Sequence, residues 1–195
     1  MSDLPRIMVM GVGNPLMRDE GAGPRTVEIL MASYDFPDNV EIVDCGTMGY
    51  TILDVLRDVD KLIVVDALRA DDLEPGDVVR LDPQVFATSQ VMHSLHDVGL
   101  PEVLQAASLI GRSPETIAIG IQIEEIAEWV LELSEPVEAA LPVAVAAVLE
   151  ELAALGVEPT VRTDANIDAE IIESVRSFSH LPETAFRPAS DEETS

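Results

Sequence analysis

The segment Met8-Val9-Met10-Gly11-Val12-Gly13-Asn14-Pro15-Leu16-Met17-Arg18-Asp19-Glu20-Gly21-Ala22-Gly23-Pro24 constrains the fold more than any other part of the chain. An apolar run, Ile7–Met10, ends in a glycine-rich turn. A carboxylate pair follows, and then a proline, which suits the first turn of a helix because its missing N–H costs nothing there. From that point Val27, Leu30, Met31 and Tyr34 recur at helical spacing. Strand, tight turn and helix in this order open an α/β sheet, and they carry Glu20 to the mouth of that sheet, where ligands gather in such folds.

The same grammar repeats downstream. Val40–Val43 reads as a strand ending at Asp44-Cys45-Gly46-Thr47, and Thr51–Arg57 as a short helix. Leu62-Ile63-Val64-Val65 is continuously apolar, as expected of a strand covered on both faces, and it ends in Asp66. After a Pro75-Gly76 turn, Asp77–Leu81 reads as a strand. Its link to Asp66 is short and lacks a helical pattern, which suits an antiparallel edge strand. Leu100, Val103, Leu104 and Ala107 mark a helix that Gly111 can stop. Ile117, Ile119, Ile121 and Ile123 alternate with small or polar residues, giving a strand of period two. Ser134 can cap a long helix with the face Val137, Leu141, Val145, Val148 and Leu152. Gly156 ends that helix, and Pro142 should kink it.

Alternating strands and helices predict a three-layer α/β/α domain over residues 1–156, with a twisted, mostly parallel sheet of about five strands. Residues 157–195 read as a C-terminal extension. Ile167, Ile171, Val175 and Phe178 could share one helical face, and Ala189–Ser195 is small, acidic and expected to be disordered. With 195 residues, 47% of them hydrophobic, the chain can bury one sizeable core. No apolar run approaches the roughly 18 residues of a membrane span, and Met1–Arg6 lacks the pattern of a signal peptide, so a cytoplasmic protein without membrane contact is expected.

Charge removes another class of partner. The chain carries 37 acids against 11 bases, a formal charge of −26, and nucleic-acid phosphates would be repelled rather than neutralised. The single cysteine, Cys45, excludes an internal disulfide and a Cys-rich metal cluster. Its neighbour Asp44 should raise its pKa, which disfavours a thiolate nucleophile. A dinucleotide fingerprint begins at Gly11-Val12-Gly13 but fails at Leu16, where its third glycine belongs.

The remaining candidates are carboxylates and imidazoles. Taken singly, each has an ordinary structural role. Glu20 would sit favourably near a helix N-terminus, Asp19 would cap a backbone N–H, and Asp66 and Asp44 would cap the turns after their strands. Taken together, Glu20 and Asp66 with one imidazole, from His93 or His96, form a set that suits a divalent metal and leaves coordination positions open. His180 lies in the extension.

The ordered motifs resemble those of the maturation endopeptidases of [NiFe] hydrogenases. Gly11–Gly23 is similar to that family's G-x-G-N-x-L-x-x-D-E-x-x-G pattern. Asp44-Cys45-Gly46-Thr47-Met48-Gly49 resembles its D-G-G-T-x-G, with Cys45 in place of a glycine. Val64-Val65-Asp66-Ala67 resembles V-V-D-A, and Ser94-Leu95-His96-Asp97-Val98-Gly99-Leu100 resembles S-x-H-x-x-G-L. The resemblance spans about residues 6 to 155. It implies that Glu20, Asp66 and His96 bind nickel, with His96 favoured over His93. It also implies a substrate, the precursor of a hydrogenase large subunit, cut near its C-terminus once nickel is installed. Nickel would then arrive on the precursor. A general base is expected among Glu20, Asp66 and Asp44. A non-catalytic nickel-binding assembly factor would use the same ligands. Gly11–Pro15 also resembles the opening turn of peptidyl-tRNA hydrolases, but that activity needs a basic surface and an early histidine, and the first histidine here is His93.

Overall fold

The computed structural model describes residues 4–46, 55–81, 108, 111, 114–162 and 187–188. The helix expected over 100–107, the first part of Thr51–Arg57, the face at 167–178, and His93, His96 and His180 lie outside the described residues. The central sheet contains β1 (Ile7–Val12), β3 (Val40–Gly46), β4 (Lys61–Leu68), β5 (Val78–Leu81), β6 (Glu115–Gln122) and β8 (Arg187–Pro188), in the order β3-β1-β4-β6-β5-β8. The first four are mutually parallel, and β5 runs antiparallel to β6. The fold is the expected α/β sheet with five main strands, and the two residues of β8 pair with β5 on its outer side.

Several boundaries differ from the periodicity. β4 does not end at Asp66 but continues to Leu68, so the acid lies inside a strand. β6 shows no half-exposed alternation. Its small residues, Ala118 and Gly120, are buried along with Ile119 and Ile121, because both faces are covered there. Tyr34 does not extend helix α1 (Ala22–Ser33). It takes extended geometry and opens the two-residue strand β2 (Tyr34–Asp35), which pairs with β7 (Thr160–Val161). Helix α2 (Glu135–Ala154) starts after Ser134, continues through Pro142, and ends before Gly156 at φ +79°.

Strand alternation divides the core in two. Ile7, Val9, Ile63, Val65, Ile119 and Ile121 face α1 and α2. Met8, Met10, Leu62, Val64 and Ala118 face the other side with Cys45 and Leu56, the latter on the 3₁₀ turn Leu56–Asp58. Each fully buried aliphatic side chain contributes about 1.5–3 kcal/mol relative to an exposed one. Among the described residues no helix is long and apolar enough to cross a membrane.

Sheet order locates the crevice. The chain leaves β1 for β3 on one side, then returns to β4 on the other side of β1. The connections therefore diverge beyond the carboxyl ends of β1 and β4, the position where open α/β sheets bind ligands. Two glycines let the chain turn there. Gly13 has φ +135°, and a Cβ on it would lie 1.9 Å from the Glu20 carbonyl oxygen. Gly23 lies so close to the sheet that a Cβ would lie 2.2 Å from the Val12 oxygen and 2.5 Å from the Val65 oxygen. Gly13→Ala should therefore cost about 3 kcal/mol or more, from the backbone clash and the positive φ together. Urea unfolding checks this, and an unchanged midpoint would refute the tight turn.

Candidate active site

Glu20 lies on the 3₁₀ turn Arg18–Gly21, which follows the glycine-rich loop and leads directly into α1. Asp66 lies on β4, opposite Gly120 of β6. The structure brings these two together. Both are buried, each 4% exposed, and the Glu20 charge acts on Asp66. Burial is the main cause that pushes the Asp66 carboxyl well above the ordinary carboxylate range. The Ala67 N–H, which donates to Asp66 Oδ1 at 2.8 Å, opposes the shift, and Glu20 adds to it. An open crevice would have left these acids solvated; here both are withdrawn from water.

Asp44 stands apart from the pair. It is exposed near the end of β3, in register with Gly11, and its Oδ1 accepts the Gly46 N–H at 2.9 Å. That bond is the turn-capping role its sequence position suggests. His96, the third expected ligand, lies outside the described residues. Among those described, no three His, Cys, Asp or Glu side chains cluster to hold a metal. The donor chemistry nevertheless fits a divalent cation, because positive charge would relieve both the burial and the mutual repulsion of Glu20 and Asp66.

The residue that sequence reasoning undervalued is Asp19. It is fully buried and accepts four hydrogen bonds. Oδ2 takes the N–H groups of Glu124 and Glu125 at 3.0 and 2.9 Å and the Ser134 hydroxyl at 2.8 Å, and Oδ1 takes the Ser134 N–H at 2.7 Å. Ser134 is thus the residue before α2, as expected, but its hydroxyl serves Asp19 rather than the helix. Asp19 fastens the Glu20 turn to the 124–134 segment. Gln122 similarly ties the exit of β4, its side chain accepting the Ala70 N–H at 2.9 Å and donating to the Ala70 oxygen at 3.2 Å. The sequence suggested that Asp19 accepts a backbone N–H but not which one, because its partners lie more than a hundred residues away.

Cys45 is buried on the opposite face of the sheet from α1. Its thiol is pushed up to about 12, first by burial and then by Asp44 and Glu41. A thiolate nucleophile is therefore disfavoured. Cys45→Ser should keep activity within about threefold of the parent, while a thiol reagent should react slowly with the folded parent. Loss of activity in a folded Ser variant would put the thiol in the chemistry.

Paired acids at the switch point of a parallel sheet define an enzyme-type crevice rather than a flat binding surface. Comparison with known proteins narrows the class. The HycI hydrogenase maturation protease model matches residues 24–151. The hydrogenase expression/formation protein HupD of Rhizobium leguminosarum bv. viciae is 39% identical over 163 residues, covering 82% of this chain and 80% of the relative. The hydrogenase 2 maturation protease of Escherichia coli K12 is 39% identical over 154 residues, covering 78% and 94%. The structure of the E. coli hydrogenase maturating endopeptidase HybD aligns with a TM-score of 0.72 and 37% identity, covering 82% of this chain and 99% of that one. The chain belongs to the hydrogenase maturation protease family. It is accordingly a peptidase.

Proposed function

We propose that this enzyme removes the C-terminal extension of a [NiFe] hydrogenase large-subunit precursor after nickel insertion, in the cytoplasm. The observation that carries the reading is the buried pair formed by Glu20, on the turn after β1, and Asp66, near the carboxyl end of β4. Burial and the Glu20 charge both disfavour the ionised form of Asp66, and a cation at the pair would offset both. Glu20, Asp66 and His96 would complete the coordination of nickel already held by cysteine thiolates of the precursor. Three ligands of this kind are too few for a closed structural site and leave room for the substrate. Nickel then acts as a positional signal, docking the scissile peptide against the crevice. A carboxylate among Glu20, Asp66 and Asp44 takes the proton from the attacking water.

The test is direct. Pure enzyme is incubated with nickel-loaded precursor, and both products are weighed by mass spectrometry. A shortened large subunit with a released C-terminal peptide supports the reading. Tight association with an intact precursor would make the chain a nickel-binding assembly factor instead.

A further inference from the structure

Leu16, Trp129 and Leu131 are large apolar side chains exposed to solvent at 43%, 79% and 52%. They lie on two segments that are joined beside Glu20. The Trp129 N–H donates to the Leu16 oxygen at 2.7 Å, the Arg18 N–H donates to the Val130 oxygen at 2.9 Å, and Met17 and Val130 form a parallel bridge. Asp19 clamps the second segment at Glu124, Glu125 and Ser134. Arg18 and Trp129 are also the two non-glycine residues with positive φ among those described, at 54° and 63°.

A bulky aromatic in the left-handed region is strained and persists only where its surroundings over-determine it. Here the strain holds an indole out in water on a rigid support. An aromatic displayed in this way loses little entropy when covered, which is the property of an interface anchor. Its surroundings select the partner. Residues 124–135 contain five glutamates and no lysine or arginine. All five glutamates are exposed, and Arg18 reaches one of them, Glu125, at 3.4 Å.

We infer that this surface docks the polypeptide to be cut, through an apolar side chain flanked by Lys or Arg. The inference rests on the proposed function. Leu16 lies two residues before the turn that carries Glu20, so a chain seated on Trp129 and Leu16 lies beside that turn. Acidic rims on both sides would oppose a second copy of this chain, whose formal charge is also −26.

The experiment measures steady-state cleavage of nickel-loaded precursor by the parent, by Trp129→Gly and by the double variant Glu128→Lys/Glu132→Lys, with the oligomeric state of each. Glycine suits the positive φ, so Trp129→Gly should fold at least as well as the parent. Its KM should rise about tenfold or more with kcat within about twofold, as for loss of an interface anchor. The parent's KM should rise with added salt, and the charge-reversed variant should show a higher KM with little salt response. A parent that cuts nothing would overturn the proposed function. A parent that cuts, beside a Trp129→Gly variant with unchanged KM or a loss confined to kcat, would overturn the docking surface alone. A parent dimer that Trp129→Gly dissociates without moving KM would assign the patch to a second copy.

Discussion

Glu20→Gln and Asp66→Asn should each lower kcat/KM for the precursor by at least about a hundredfold, the scale of a lost acid–base or ligand group, while leaving the protein at least as stable as the parent. The two halves of this expectation have one cause. Both carboxylates are buried and Asp66 feels the Glu20 charge, so ionising Asp66 in the folded state is unfavourable. Asn keeps the oxygen that accepts the Ala67 N–H and removes the charge. The sign follows from linkage. The Asp66 pKa is raised on folding, so the native state holds the proton more tightly than the unfolded chain. That contribution to stability is present at low pH and is lost as pH rises through the raised folded value. Asp66→Asn should therefore raise the thermal midpoint at neutral pH, and the advantage should shrink on acidification. Thermal unfolding across pH, beside cleavage kinetics, checks both halves. An Asp66→Asn protein that unfolds well below the parent at neutral pH would make the acid structural.

Asp19→Ala should do the opposite, because this neighbouring acid is fully satisfied. Removing it leaves the N–H groups of Glu124, Glu125 and Ser134 and the Ser134 hydroxyl without their acceptor. Each buried donor left unsatisfied costs about 1–3 kcal/mol, so the loss is a large share of the roughly 5–15 kcal/mol that holds a typical domain. The urea midpoint should fall accordingly, and amide exchange should accelerate at Glu124, Glu125 and Ser134 before it does in the sheet. Asp19→Asn keeps one acceptor oxygen and should fall between the two. An Asp19→Ala protein with the parent's midpoint would remove the clamp from the account.

Adjacent residues Asp19 and Glu20 thus divide the labour, and the contrast shows what the sequence could and could not disclose. Strand–turn–helix order, the glycines and the acids at strand ends made the sheet and its crevice legible, because those features are local and set by backbone sterics. Burial of Glu20 and Asp66 was not legible, since it is set by packing between segments far apart in sequence, where Gly23, for one, lies against the Val12 and Val65 oxygens. The partners of Asp19 were hidden by sequence distance. The extension of β4 past Asp66 was hidden because pairing with β6 overrides the polarity of one residue. Residues 157–162 were read as the start of an appendage, yet Val157 is buried in the α1–α2 core and Arg162 binds Asp35 and the Ser33 oxygen.

In the proposed function the acid pair reads a metal carried by the substrate. On that reading two carboxylates and one imidazole would make an open, weak site for nickel, whereas precursor thiolates would hold it tightly. Loaded and nickel-free precursors should therefore be offered side by side to metal-stripped enzyme, and the rates compared. Shared-metal contacts contributing about 3 kcal/mol would favour the loaded form about a hundredfold. Cleavage of the loaded precursor with negligible cutting of the empty one is the expected result. Equal cleavage of both would contradict the claim and leave an ordinary peptidase.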